Sequence, residues 1–213
     1  MRYVTTLLLF SASISLTQAQ DYNLAKLSEE GKITVYNRNL SNSSASFGEV
    51  YMDAEESDGL ALLEGISFSK GTIEVQIKGE NNPGKSFVGI AFNVRSREEY
   101  ECVYFRPFNF VADEEIRRSH MLQYIFHPEF TWRKLRETRT DEFENKLQSP
   151  PDPDDWFDIR IVVTEKEVKV FVNKETQPSL EIERLTSGTS DRLALWTGFG
   201  SKGAYRNLTI THK

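Results

Sequence analysis

The chain has 213 residues, with 26 Lys and Arg against 32 Asp and Glu for a formal net charge of -6, and it is 38% hydrophobic and 12% aromatic. That composition belongs to a folded globular protein, and its acidity argues against a general nucleic-acid binder, which would concentrate Lys and Arg to release counterions. The single cysteine, Cys102, excludes an internal disulfide framework and any zinc site built on several thiolates.

Met1 and Arg2 open the chain, an apolar stretch diluted by Ser and Thr covers 4–16, and Thr17-Gln18-Ala19 sets small residues at the two positions a signal peptidase reads. Residues 1–19 are therefore expected to be a cleaved secretory signal, leaving 20–213 as one exported domain, periplasmic or extracellular. The apolar stretch is shorter than the about 20 residues that span a bilayer, and no other segment approaches that length, so no membrane span is expected. In an exported protein with no partner thiol, Cys102 reads as a small core residue rather than a nucleophile.

Short strands are expected next, at 33–36, 50–53 and 60–63. Over 71–78, Ile73, Val75 and Ile77 alternate with Thr72, Glu74 and Gln76, the pattern of a strand with one face buried. A turn carrying Asn81-Asn82-Pro83 leads to strands at 87–94, 100–106 and 121–126. Thr131 is placed to N-cap a short helix over 132–138, rich in Arg, Lys, Leu and Glu. After a stiff loop at 148–155, strands at 157–164 and 168–172 form a hairpin across Glu165-Lys166-Glu167, and strands at 180–183, 192–197 and 205–211 complete the chain. About twelve short alternating strands with turns between them give an all-β, two-sheet antiparallel jelly roll with one short helix.

The familiar catalytic signatures are missing. Gly198, Gly200 and Gly203 spell G-x-G-x-x-G, but only ten residues follow, too few for a dinucleotide-binding unit, so the motif reads as a turn between strands. There is no G-x-S-x-G elbow, H-E-x-x-H pair, phosphate-binding P-loop or E-x-D-x-x-E glucanase strand. Asp152, Asp154, Asp155 and Asp158 have calcium-binding chemistry, but beside prolines they read as turn formers, and no metal or cofactor is expected. The basic run Arg117, Arg118, Arg133, Lys134, Arg136 and Arg139 is interleaved with acidic residues and reads as a mixed solvated face.

Nine of the 25 aromatic residues fall between Tyr100 and Trp132. Parity separates the two faces of the strands there. Val88, Ile90, Phe92 and Val94 point to the core, which leaves Gly89, Ala91, Asn93 and Arg95 on the other face; Cys102, Tyr104 and Arg106 share that face, as do Gln123 and His127 of the next strand. Asn93, Tyr104, Arg106, Asn109, His120, Gln123, His127 and Trp132 are thus candidate ligand-binding residues lining one sheet face and its rim. Planar amide, imidazole and guanidinium groups bond sugar hydroxyls, and an aromatic ring covers the apolar side of a sugar ring, so the expected partner is a carbohydrate.

At YECVYFRPFNF from Tyr100, SHMLQY from Ser119, PEFTWRKLR from Pro128, PDPDDWF from Pro151 and LWTGFGSKGAYRNLTI from Leu195, the chain resembles secreted concanavalin A-like jelly-roll proteins, the laminin-G-like group related to the 3-keto-disaccharide hydrolase domain. The resemblance implies a sugar held in the concave groove and opens a hydrolase alternative to pure binding, with His127, Glu129, Asp113 and His120 as conceivable proton-transfer groups. A non-catalytic protein-interaction module is the third reading.

Overall fold

A computed structural model describes residues 18–213; the leader expected at 1–19 falls outside the described residues, apart from its last two. The first strand, β1 (Ala19–Tyr22), runs into α1 (Leu24–Glu29), which Asn23 caps by accepting a hydrogen bond from the Lys26 amide at 2.9 Å. Strands β2 (Ile33–Tyr36), β3 (Leu40–Asn42), β4 (Val50–Met52), β5 (Gly59–Ser67), β6 (Gly71–Lys78), β7 (Val88–Phe92) and β8 (Tyr100–Phe105) follow. A 3-10 turn at Pro107–Asn109 and the one-turn helix α2 (Glu115–Arg118) precede β9 (Leu122–His127), and α3 (Trp132–Thr138) precedes β10 (Glu144–Asn145). The chain closes with β11 (Phe157–Val163), β12 (Glu167–Val172), β13 (Leu180–Glu183), β14 (Arg192–Thr197) and β15 (Gly203–His212).

These strands form two antiparallel sheets. One is ordered β13-β12-β11-β6-β15-β4-β3, with β1 also paired to β15, and the other is β10-β9-β8-β7-β14-β5-β2. The β11–β12 hairpin pairs Ile159 with Val172, Ile161 with Val170 and Val163 with Val168, as alternation on both strands requires. All of these side chains are buried, as are Ile73, Val75 and Ile77 of β6, while Glu74 is exposed. Facing them across the core are Val88, Ile90, Val103, Phe105, Leu122 and Tyr124 of the second sheet. Each fully buried apolar side chain of this size contributes about 1.5–3 kcal/mol, and the resulting continuous core holds the sandwich without a disulfide.

The helix over 132–138 forms with the expected cap, the Thr131 hydroxyl accepting from the Lys134 amide. The glycine motif forms the turn between β14 and β15, with Gly200 at φ +64. Asp152, Asp154 and Asp155 spend side-chain oxygens on the amides of Asp154, Asn81 and Trp156, the work of turn formers. The elements that the sequence pattern did not show are short: β1, β3, β10, α1, α2 and the 3-10 turn hold two to six residues each.

A larger departure from expectation concerns the second sheet, which is largely apolar on both faces, with Glu101 and Gln123 as buried polar exceptions. Its outer face carries Leu60, Leu62, Trp196, Ala194, Gly89, Ala91, Tyr104, Cys102 and Ile125, all buried. Cys102 is fully enclosed there, and burial pushes its thiol well above the ordinary range. Tyr104 and Cys102 lie on the face that parity assigned them, but that face is packed around Cys102 and opens only at the cleft that Tyr104 lines.

Candidate functional site

The outer face of the seven-stranded sheet holds a cleft of about 610 Å³. Its floor is built on one cross-strand row: Trp196 of β14 pairs with Gly89 of β7, Gly89 with Tyr104 of β8, and Tyr104 with Gln123 of β9. Gly89 has no side chain, so the rings of Tyr104 and Trp196 on either side close over it to a centroid separation of 5.0 Å. Phe87 and Phe108 extend this apolar floor, packing edge to face at 5.4 Å. At the rim two rings stand partly in solvent, Trp132 of α3 at 42% exposure and Phe199 of the β14–β15 turn at 54%.

The polar lining converges where the 3-10 turn, α2 and α3 meet the sheet. Arg106 is buried, stacks over the Tyr104 ring at 4.9 Å, and donates to the Tyr104 hydroxyl at 2.7 Å, Gln123 Oε1 at 2.5 Å and the His120 carbonyl at 2.9 Å. Asn109 donates to the same carbonyl at 3.1 Å and accepts from Arg117 Nε at 3.3 Å. Behind them Glu144 accepts two bonds from Arg136 at 2.7 Å, with His120 Nε2 at 3.3 Å and Arg106 at 3.6 Å. Burial holds the His120 imidazole below its ordinary range and pushes the Tyr104 phenol up to about 12, so at neutral pH both present uncharged groups.

The opposite end belongs to Asp58. Its carboxylate accepts from the Tyr100 hydroxyl at 3.1 Å, and Trp196 Nε1 donates to that same hydroxyl at 3.1 Å. Burial is the main cause of a raised Asp58 pKa. Arg38 fixes this end, donating to Ser57 O at 2.7 Å, Gly198 O at 2.8 Å and Thr197 Oγ1 at 2.9 Å, which ties the Asp58 segment to the turn bearing Phe199. Asp58 and His127 also border a second depression lined by Tyr36, Asn37 and Arg97, so the cleft continues along the sheet.

Of the eight residues singled out from the sequence, Tyr104, Arg106, Asn109, His120, His127 and Trp132 line the cleft. Gln123 is fully buried beneath it, its carbonyl oxygen engaged by Arg106 and Tyr104 and its Nε2 without a partner among the described residues. Asn93 does not join them. It lies one residue past the end of β7 with φ 51, which breaks the alternation, and it is buried against Glu101, Gly188 and Ser190. Strand parity ends with β7 at Phe92 and does not extend to Asn93. Of the conceivable proton-transfer groups, Asp113 and Glu129 are exposed and lie outside the lining, while His120 and His127 are in it.

Asp58, Phe87, Trp196 and Phe199 belong to the cleft without having been singled out. Trp196 shares a row with Gly89 and was within reach of parity reasoning; Asp58 and Phe199 sit on connections that only tertiary structure brings together. The basic run divides. Arg117 and Arg136 turn into the cleft, whereas Arg118 pairs with Glu115 and Arg139 with Glu142 on the surface. Among the described residues His120, Asp141 and Glu144 come within metal-binding distance of one another, but Arg136 already engages both Glu144 oxygens and Arg106 stands beside them, an environment that repels a cation.

The two-layer order of strands and the cleft on one outer face decide the architecture. The chain has the concanavalin A-like jelly-roll fold. No family model matches the sequence, and no curated protein matches it. Among solved structures it is similar to the carbohydrate-binding module CBM66 from Bacillus subtilis, with a TM-score of 0.60 and 11% identity over 84% of this chain and 95% of that one. A Bacillus subtilis protein of unknown function with a galectin-like fold gives a TM-score of 0.59 at 12% identity, covering 92% of this chain and 98% of its own. The exoplasmic/lumenal domain of VIP36, in its Ca2+/Man3GlcNAc-bound form, gives 0.58 at 11% identity over 84% and 83%.

Proposed function

We propose that this is an exported carbohydrate-binding protein that holds a saccharide on the outer face of the seven-stranded sheet, between Trp132 and Phe199. The observation that carries this reading is the combination of two half-exposed aromatic rings at the rim with amide, imidazole and guanidinium donors inside one cleft. The rings offer flat apolar surfaces to sugar rings, and the donors, fixed by buried partners, reach hydroxyls without first paying for their own ordering. The continuation of the cleft past Asp58 and His127 suits a chain of sugars more than a single ring. A carbohydrate-binding module and a mannose-oligosaccharide complex among the structures of the same fold support the reading.

A glycan array followed by calorimetric titration tests it. A saccharide ligand with millimolar or tighter affinity is expected. Trp132→Ala and Phe199→Ala should each weaken it at least about tenfold, the equivalent of about 1.4 kcal/mol, with little change in melting temperature because both rings are partly in solvent. Absence of binding to any saccharide at millimolar concentration refutes the reading. Export is tested separately by sequencing the N-terminus of the protein recovered outside the cytoplasm, which should begin at Gln20.

A hydrolytic reading is favoured by one observation, the cleft carboxyl of Asp58 with its raised pKa. Turnover of keto-disaccharides by the purified protein, abolished in Asp58→Asn, is its expected result, and no product from the wild type removes it.

A further inference from the structure

The cleft has a charge opposite to that of the molecule. The chain carries a net charge of -6, yet the cleft lining includes Arg106, Arg117 and Arg136 and a single carboxylate, Asp58. Asp58 is tied to Tyr100 at one end, and the three guanidiniums gather at the other, around the 3-10 turn, α2 and α3. We propose that the saccharide taken by this cleft is anionic, bearing a uronate carboxylate or a sulfate ester, and that Arg117 and Arg136 bind that group with Arg106 behind them. This rests on the reading of the cleft as a sugar site.

At this end of the cleft both positive charge and guanidinium donors are left uncompensated. Among the described residues Glu144 is the only buried counter-charge at this end, and it serves Arg106, Arg136 and His120 together. One carboxylate against two guanidiniums leaves a positive remainder before Arg117 is counted. The other acids nearby are exposed: Asp141, grouped with His120 and Glu144, and Glu114, whose contact with Arg117 is 3.4 Å long. Solvent screens such surface pairs, while charge inside a cleft with apolar walls keeps its field.

A guanidinium offers five N–H donors. Arg136 spends Nε and Nη2 on Glu144, and its Nη1 has no acceptor among the described residues. Arg117 reaches Asn109 Oδ1 and the Phe108 carbonyl only at 3.3 Å, so its bonds are long and readily exchanged for better ones. Arg106 commits three donors to Tyr104, Gln123 and the His120 carbonyl and is itself buried, so it contributes charge and rigidity. Trp132 lies under the Arg136 guanidinium at 5.1 Å, so a sugar ring stacked on the indole carries its acidic substituent beside that donor. Planar, forked guanidinium groups match the oxygens of a carboxylate or sulfate better than isolated hydroxyls do.

Calorimetric titration of the purified protein with three probes tests the proposal: an oligogalacturonide, the same oligosaccharide as its methyl ester, and a sulfated oligosaccharide. At least one acidic probe is expected to bind about tenfold or more tightly than the neutral ester, and to weaken as ionic strength rises from about 0.05 to about 0.5 M. Which acidic probe binds distinguishes the carboxylate from the sulfate. Arg117→Gln should lower the acidic affinity at least about fivefold while leaving the melting temperature unchanged, since its bonds are long and its side chain is 37% exposed. Arg118→Gln, whose partner is the exposed Glu115, should leave binding as it was. Equal affinity for the ester and the acids, or full acidic binding by Arg117→Gln, overturns the charge proposal and leaves the sugar site standing. Binding of neutral saccharides alone does the same. Binding of no saccharide of any kind overturns both.

Discussion

Replacing Gly89 by Ala probes the construction of the cleft floor directly. Gly89 stands between Tyr104 and Trp196 in a single cross-strand row, and their rings meet over it. A Cβ built on Gly89 falls 2.2 Å from the Val103 carbonyl oxygen and 2.7 Å from the Tyr104 Cα and Cβ. These atoms belong to a strand hydrogen-bonded on both sides, so they cannot swing aside as the end of a lysine would. Overpacking a well-filled site costs about 1–3 kcal/mol, and displacing a ladder carbonyl by roughly 1 Å to reach normal contact belongs at the upper end, about 3 kcal/mol. For a domain of this size each kcal/mol lowers Tm by about 2–4 °C, so Gly89→Ala should melt roughly 6–12 °C below the wild type. Differential scanning calorimetry of the two proteins measures this, and saccharide titration should show weaker binding as the rings are pushed apart. A melting temperature within about 2 °C of the wild type would falsify the claim that the floor closes over an absent side chain.

Two further predictions concern buried charge. Glu101 is fully buried and accepts bonds from Arg184 Nε at 2.9 Å, the Tyr124 hydroxyl at 2.5 Å and Asn93 Nδ2 at 2.6 Å. Glu101→Gln leaves the buried Arg184 charge without its partner, a loss of about 3–5 kcal/mol, visible as a lower urea midpoint; an unchanged midpoint contradicts the role. Asp58 is the mirror case. Its folded pKa is raised, chiefly by burial, so between its unfolded value and its folded one the native state holds the extra proton. The stability this contributes is present at low pH and is lost as pH rises through the folded pKa. Asp58→Asn, which can still accept from Tyr100, should therefore be more stable than the wild type at neutral pH, and that advantage should shrink toward pH 4 in paired denaturation curves. An advantage that grows on acidification contradicts the sign.

Most of the fold was legible because it is carried by local patterns. The period-2 alternation of β6 and β11 fixed which side chains enter the core, and Thr131 with its run of helix formers fixed α3. Parity across β7, β8 and β9 also put Tyr104, Arg106, Gln123 and His127 on one face, since antiparallel pairing keeps the side of each residue. Parity does not extend to Asn93, where one left-handed residue redirects the chain, and the short elements are too brief to show a period.

What the sequence by itself determined, then, is the sheet sandwich, the lone cysteine and which side chains of β7, β8 and β9 share a face. Tertiary structure decided the rest, because it depends on contacts between residues far apart in the chain. Arg38 pins Asp58 to the turn bearing Phe199 across about 160 positions, and Gly89 lets Tyr104 and Trp196 touch. The basic run shows the difference most clearly. In sequence its charges are more than matched by neighbouring acids, but folding turns Arg117 and Arg136 into the cleft and leaves Glu115 and Glu142 outside, so a segment without net positive charge lines the cleft with guanidiniums.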